Sequence, residues 1–477
     1  MSRSTTVTIT ILVLIAVAAI ALPQTAAAAF RPPSVHITAD GTLTTSPASP
    51  PVEPKPAANV NGVVGLYVGQ ISNTAWWSGC LPQVKAAGMT SIRVILPWSE
   101  VETSDDVYSW SNVDKTLTLA ANNGLGVEFV LLGTPAWSQS GTASARRGPD
   151  DSAKIADFAR TLCSRYSGRI AALQIWNEPN ATGFFKPYPG ATLPQSYVRI
   201  LKAAYQGAKA GDAAVRIVGG NMDGRFSTDT AAQYYAQDDF TGACYAAGAK
   251  GFFDVWATHN YPGTPSSRVP EFKFGSWAGN RTVWGVVDTM RAIMDQNGDQ
   301  AVPLAISEVG WLAAGSAASF SAAPSQATQR RYTVRHIVHA YAHGIRDYHV
   351  MFVRDFTGNA KGVFNSDFTP RPVFTAMATL NTALAGATYD RRLMVGANNY
   401  AFSFEQSDGR QIVVAWTTVG EYVDQSGARA TGTTTVNVPL VARATYDKIA
   451  MDGATTGTLK AGTSLTLAND PVILIQR

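Results

Sequence analysis

A chain of 477 residues, 46 % hydrophobic and 15 % charged, with 41 glycines and 25 prolines, holds enough apolar material for a core and length for two or more domains. Its formal net charge of +4 is small, and no block of Lys or Arg interleaves with aromatics, which argues against nucleic acid as a partner. Three cysteines, Cys80, Cys163 and Cys244, are too few for a disulfide framework; one bridge plus a free thiol and three buried thiols both remain open, and none is placed as a nucleophile.

Met1 to Thr6 carries only Arg3, a mostly apolar run follows over 7–22, and four alanines at 26–29 supply a small-residue cleavage site. The pattern predicts a signal peptide over 1–29 and a secreted or cell-envelope protein without stable membrane insertion, with a retained signal anchor as the competing reading. Residues 30–59, with "RPPSV" and "SPASPPVEPKP", read as a Pro-rich linker. From 60 to 384 short apolar runs alternate with amphipathic stretches. The strands are expected at 63–68, 91–96, 127–132, 171–176, 216–219, 254–259, 304–308 and 348–353. Helices are expected at 113–122, 153–165, 195–210, 283–296 and 328–343, several ending in a Gly C-cap. Eight strands alternating with helices predict an α/β fold, a (β/α)8 barrel. An open doubly wound sheet is weakened because "VGQISNTAW" stands where a G-x-G-x-x-G turn belongs. From 385 to 477 the period becomes two, and "YAFSFEQSDGRQIVVAW" alternates on both sides of Asp408-Gly409, a hairpin signal. A C-terminal antiparallel β-sandwich that supports the barrel fits this pattern.

Chemistry in such a barrel sits at the C-terminal ends of the strands. Two carboxylates have that placing: Glu178 in "LQIWNEPNATG", just past the fourth strand, and Glu308 in "PLAISEVGW", at the end of the seventh. One glutamate alone is a weak signal. A pair across the barrel mouth is what glycosidic bond cleavage needs, one to protonate the leaving oxygen and one to attack or stabilise the sugar cation. His336, His339 and His343 stand at i, i+3 and i+7 on one helix, but no Asp, Glu or Cys accompanies them. A packed or solvated face is expected there rather than a metal site.

Several ordered motifs carry a resemblance to the clan A glycoside hydrolases, and within them to family 39 and its near relatives, over residues 60–384. The segment from "SIRVILPW" to "GTPAW", which includes Arg93, resembles the clan's second and third βα units. "QIWNEPN" is similar to the family's acid/base motif, "ATHNYPG" to its sixth strand, "ISEVGW" to its nucleophile strand, and "GVFNSDFTPRPVF" to the segment after strand eight. The C-terminal strands look like its appended β-domain. The resemblance implies a retaining glycosidase needing no cofactor and no metal. Glu178 is then the general acid/base, Glu308 the nucleophile, and Asn177 a partner of the sugar 2-hydroxyl. Arg93 would keep Glu308 ionised, or merely pair with Glu128 or Glu100. Tyr261 would hydrogen-bond Glu308, with His259 on the acid/base side. Trp137 and Trp311 offer faces for sugar stacking, and Trp76, Trp77, Phe184, Phe185, Tyr188 and Trp277 are further platform candidates, each equally readable as packing. The clan's usual Trp at the end of strand eight is missing from "HVMFVRDF", which leaves the sugar at the central subsite open. The expected partner is a carbohydrate and the expected state a monomer. The rival readings are a non-catalytic carbohydrate-binding surface protein and a transglycosidase.

Overall fold

The computed structural model describes residues 35–37, 43–45, 63–224, 226–262, 270–271, 281–313, 325–345, 347–355, 361–421 and 432–477. The expected signal peptide, most of the expected linker and Trp277 lie outside the described residues. Within the expected linker, Val35–Ile37 and Leu43–Thr45 pair as a short antiparallel ladder.

Eight parallel strands close into a barrel: β1 Val63–Gln70, β2 Ser91–Pro97, β3 Gly126–Leu132, β4 Ala172–Ile175, β5 Arg216–Met222, β6 Val255–His259, β7 Leu304–Val309 and β8 Asp347–Met351. A helix follows each in turn: α1 Leu81–Ala86, α2 Ser111–Asn122, α3 Ala153–Arg165, α4 Leu193–Gly211, α5 Gln237–Ala246, α6 Val283–Gln296, α7 Gln326–Ala342 and α8 Pro372–Leu384. The (β/α)8 expectation is met. The sequence reading did not mark α1, α5 and α8.

Period-two alternation divides the strand residues between two environments. On β2, Ile92, Val94 and Leu96 join the apolar core beneath the helices. The alternate position, Arg93, is a fully buried charge and pairs in register with Glu128 on β3. Small residues Ala172, Val218, Val255, Ala257 and Ala305 form a separate cluster on β4–β7. Helix α4 opens with a capping box between Thr192 and Gln195. It packs so tightly on α3 that a Cβ on Gly207 would lie 1.9 Å from the Ala156 carbonyl oxygen, and one on Gly211 2.3 Å from that of Arg160.

Beyond α8, strands β9 Thr388–Arg392, β10 Asn399–Glu405, β11 Gln411–Thr417, β13 Thr445–Ile449, β14 Thr455–Lys460 and β16 Val472–Gln476 form a six-stranded antiparallel sheet in the order β9-β10-β11-β16-β13-β14. Strands β12 Thr433–Val436 and β15 Leu465–Ala468 make a two-stranded sheet. Strands β10 and β11 of the larger sheet are buried on both faces. Phe402, Phe404, Ile412, Val414 and Trp416 join the barrel core, whereas Ala401, Val413 and Ala415 pack with Leu465 and Leu467 of the smaller sheet. The hairpin expected at Asp408-Gly409 joins β10 to β11, with Gly409 at φ +84° and Arg410 N–H bonded to Asp408 Oδ1. All three cysteines are free thiols, each buried. Among the described residues no helix is long and apolar enough to cross a membrane.

Candidate active site

The backbone leaves β4 under strain. Trp176 and Glu178 adopt φ +66° and +53°, the left-handed region that non-glycine residues enter at a cost of about 1–3 kcal/mol each. Hydrogen bonds hold both in place: Trp176 N–H to Leu131 O at 2.9 Å, Trp176 Nε1 to Phe184 O at 3.2 Å, and Glu178 N–H to Asn221 O at 2.9 Å. Asn221, itself at φ +55°, also accepts from the Ser307 hydroxyl at 3.2 Å, so one residue steadies the neighbourhoods of both glutamates. Between β6 and β7 the register slips after Thr258, which sets His259 opposite Glu308 rather than Ser307. Such bulges re-aim side chains at the rims of barrels.

These turns bring the two carboxylates together. One carboxyl oxygen of Glu178, one of Glu308 and a ring nitrogen of His259 lie within 4.8 Å of one another, all buried. His259 Nδ1 is 2.8 Å from Glu178 Oε1, and its Nε2 is 3.8 Å from Glu308 Oε2. Tyr261 donates its hydroxyl to Glu308 Oε1 at 2.7 Å. Arg93 uses its whole fork: Nε donates to Gln174 Oε1 at 2.8 Å, Nη1 to Glu308 Oε2 at 3.2 Å and Nη2 to Asn177 Oδ1 at 2.9 Å. Its guanidinium also lies 4.9 Å from the centroid of the Tyr67 ring and 3.6 Å from Glu128 Oε1.

The environments push the two glutamates in opposite directions. Burial raises the Glu178 carboxyl, and the charge of Glu308 adds to that; the hydrogen bond with His259 opposes it without reversing it. Burial would raise Glu308 as well. His259, the Arg93 guanidinium, the Tyr261 hydroxyl and the Lys361 ammonium outweigh it, and the net direction is down. Glu128, deeper in the barrel, is pushed up to about 7, chiefly by burial.

Arg93, Asn177, Glu178, His259, Tyr261 and Glu308 thus converge as the sequence suggested. The two tryptophans do not. Trp311 is 1 % exposed, its ring edge-on to Tyr332 and His336, so the stacking role expected of it is corrected to packing. Trp137 is half-buried beside the barrel mouth, its Nε1 bonded to Glu102 O at 3.1 Å and its ring edge-on to Trp98. Trp77, Phe185 and Tyr188 are buried, Trp76 lies beneath the Arg354 guanidinium, and Phe184 is exposed. In place of a Trp after β8, Phe352 packs on Tyr67 with ring centroids 4.7 Å apart, and Asp355 pairs with Arg371.

Four site residues escaped the sequence reading: Tyr67, Gln174, Asn221 and Lys361. Gln174 carried a signal, a polar residue inside the apolar run "LQIW". Lys361 carried none, since it lies well past β8 in a segment without periodicity. The histidines of α7 are committed elsewhere. His336 Nδ1 meets Tyr348 OH at 2.7 Å, His339 Nε2 meets Glu271 at 3.4 Å, His343 Nδ1 meets Asp288 at 2.7 Å, and all three rings line up on Trp284. Glu102, Asp105 and Asp106 form another acidic group, but Glu102 accepts from Trp98 Nε1 and Asp106 N–H, while Asp105 pairs with Lys154.

With the barrel, the appended sheets and the paired glutamates described, solved structures supply a comparison. The fold is that of the clan A glycoside hydrolases. A family 39 glycoside hydrolase from the gut symbiont Bacteroides cellulosilyticus WH2 superimposes with a TM-score of 0.69 at 19 % identity, over 88 % of this chain and 82 % of that one. A family 30 endoxylanase from Clostridium papyrosolvens C71 gives 0.58 at 12 % identity, over 88 % and 97 %. The family 51 arabinofuranosidase from Xanthomonas axonopodis pv. citri gives 0.54 at 14 % identity, over 89 % and 98 %. No protein-family model matches the sequence, and no curated protein does. At these identities the likeness is one of fold; the chemistry rests on the residues.

Proposed function

We propose that this protein is an exported retaining glycoside hydrolase that cleaves an oligo- or polysaccharide by double displacement. One observation carries the reading: two buried carboxyl groups, from the ends of β4 and β7, approach within 4.8 Å and are driven in opposite directions of ionisation. That approach suits the retaining geometry of about 5–5.5 Å and is too close for the 6.5–9.5 Å that an inverting water requires. Glu178, whose carboxyl burial pushes above the ordinary value, gives its proton to the glycosidic oxygen. The ionised Glu308 attacks the anomeric carbon as the bond to the leaving group breaks. Water then releases the glycosyl group from Glu308, with Glu178 taking the water's proton. Arg93 anchors Glu308 and, through Asn177 Oδ1, orients that amide toward the sugar 2-hydroxyl.

The leaving group departs on the Glu178 side of the site. A cavity of about 580 Å3, lined by Ser144, Arg147, Lys186, Tyr188 and Gln233 among others, lies between the loops after β3, β4 and β5, and neither glutamate lines it. The N-terminal apolar run with its small-residue site supports export.

The test is NMR of the first-formed product from a panel of aryl glycosides and polysaccharides. The anomer of the substrate is expected before mutarotation; the opposite anomer would refute double displacement. Glu308→Gly should be nearly inert, with azide restoring turnover by filling the vacated space and leaving as a glycosyl azide.

A further inference from the structure

The nucleophile of the proposed reaction is served by a cation that no strand of the barrel supplies. Lys361 enters from the segment after β8, and its ammonium nitrogen lies 4.3 Å from the centroid of the Tyr261 ring. The hydroxyl of that ring donates to Glu308 Oε1 at 2.7 Å and also lies 2.7 Å from Met351 Sδ. The lysine's placement is built in. Its carbonyl accepts from Phe352 N–H at 3.4 Å and from Gln329 Nε2, at the start of α7, at 3.3 Å. Its stem passes Gly310, two residues after the nucleophile, where a Cβ would sit 3.5 Å from Lys361 Cδ and 2.1 Å from Met351 O. Only glycine lets the ends of β7 and β8 approach so closely, beside this stem.

We infer that Lys361 is a positioning residue for the nucleophile, its ammonium seated on the Tyr261 ring so that the phenol is fixed and polarised toward Glu308. This rests on reading Glu308 as the nucleophile. A cation over the face of a tyrosine is attracted by the ring's negative quadrupole, most strongly when water is excluded. It also draws electron density from the ring, which makes the phenolic O–H a better donor to a carboxylate. The groups facing Glu308 are Tyr67 from β1, Arg93 from β2, Glu178 after β4, His259 and Tyr261 from and after β6, and Lys361; Glu128 and Asp223 lie in the next layer. Among them Lys361 acts on Glu308 both directly, as a charge, and through the tyrosine. Burial pulls its own ammonium down, and Glu308, Glu178 and Asp223 oppose that without reversing it.

The experiment compares the wild type with Lys361→Met, which keeps the stem and removes the charge, and with Lys361→Arg, which restores a cation. On an activated aryl glycoside, Lys361→Met should lower kcat/KM by about ten- to thirtyfold, the size of a desolvated cation–π contact. Its acid limb should move up by about half to one pH unit, because Glu308 is then less favoured as the anion. Lys361→Arg should return the limb towards its wild-type position. A rise in KM with kcat and the acid limb unchanged would overturn the inference, since it marks a lysine that holds substrate. So would an unchanged profile. Carboxyl 13C NMR of the folded proteins, with Glu308 assigned by Glu308→Gln, reads the same shift without turnover. An inactive wild type therefore counts against the glycosidase reading alone, and an unmoved Glu308 titration against this one. Should Lys361→Met not fold, Lys361→Gln carries the same readouts.

Discussion

Arg93 distributes one guanidinium over Gln174, Asn177 and Glu308, and it is 0 % exposed. A lysine keeps the charge but loses the planar fork. Arg93→Lys should therefore leave Gln174 and Asn177 without their buried donor and lower kcat/KM by about a hundredfold, on the scale of two lost buried hydrogen bonds at 1–3 kcal/mol each. A kinetic comparison at the pH optimum checks this. The sequence offered Glu308 and, as rivals, Glu128 or Glu100 as partners for Arg93; the structure gives it Glu308 and Glu128, because β2 and β3 pair Arg93 with Glu128 in register while the guanidinium reaches the mouth. For the glutamates the signs are opposite. Activity should fall on the acid side as Glu308 gains a proton and on the alkaline side as Glu178 loses one. Glu178→Gln should abolish most turnover of substrates with poor leaving groups and spare activated aryl glycosides by comparison, since a good leaving group needs no proton. Equal losses on both would remove Glu178 from the acid role. Both glutamates were legible because each is a charge at the end of an apolar run. Trp311 was misread because its approach to α7 depends on tertiary packing that no local pattern encodes.

At the scale of elements, the tightest joint is between α3 and α4. Gly207 and Gly211, one turn apart on α4, admit the carbonyls of Ala156 and Arg160 where any side chain would collide. Gly207→Ala, normally helix-favouring, should here destabilise by about 1–3 kcal/mol as the helices are forced apart. Thermal unfolding would register this as a drop in Tm with the site chemistry unchanged. The periodicity of α3 and α4 was readable, and so were their boundaries to within two residues. Their close approach was not, since an isolated glycine in a helical pattern reads as a weakness until its neighbour is known. The histidine stripe of α7 shows the same limit. Spacing put three imidazoles on one face, but only the structure shows that this face meets Trp284.

Over the whole molecule, charge is buried where the barrel meets the C-terminal sheets. Arg335 on α7 pairs with Glu271, after β6, and with Glu421, after β11; Arg331 also reaches Glu421 at 2.9 Å. Trp416 of β11 donates to Glu271 at 2.9 Å. The partners lie 64 to 145 residues apart, which is why no window of sequence announced them. Breaking such a cluster strands a buried charge, at about 3–5 kcal/mol. Burial would raise the Glu271 carboxyl, but Arg335 and His339 overcome it and hold it well below the usual carboxylate range. Its contribution to stability is therefore present above the unfolded value near 4.5 and is lost as pH falls below it. Glu271→Gln should unfold several degrees below the wild type at pH 7, with the gap closing as the pH drops below about 4. Because Trp416 belongs to β11 and Glu421 follows it, a chain ending at Leu384 should expose the α7 face and fail to give a stably folded barrel.

The three buried thiols have a practical side. Burial pushes Cys80 and Cys163 up to about 12 and raises Cys244 further from the thiolate, the form that alkylates. The native protein is accordingly expected to resist maleimides and iodoacetamide, which a thiol-labelling assay checks. A single cysteine placed at Phe184, 43 % exposed on the loop after β4, becomes its one addressable sulfur. A dye attached there would sit on the loop that follows Glu178, and a change of its emission on adding saccharides would report binding at the proposed site.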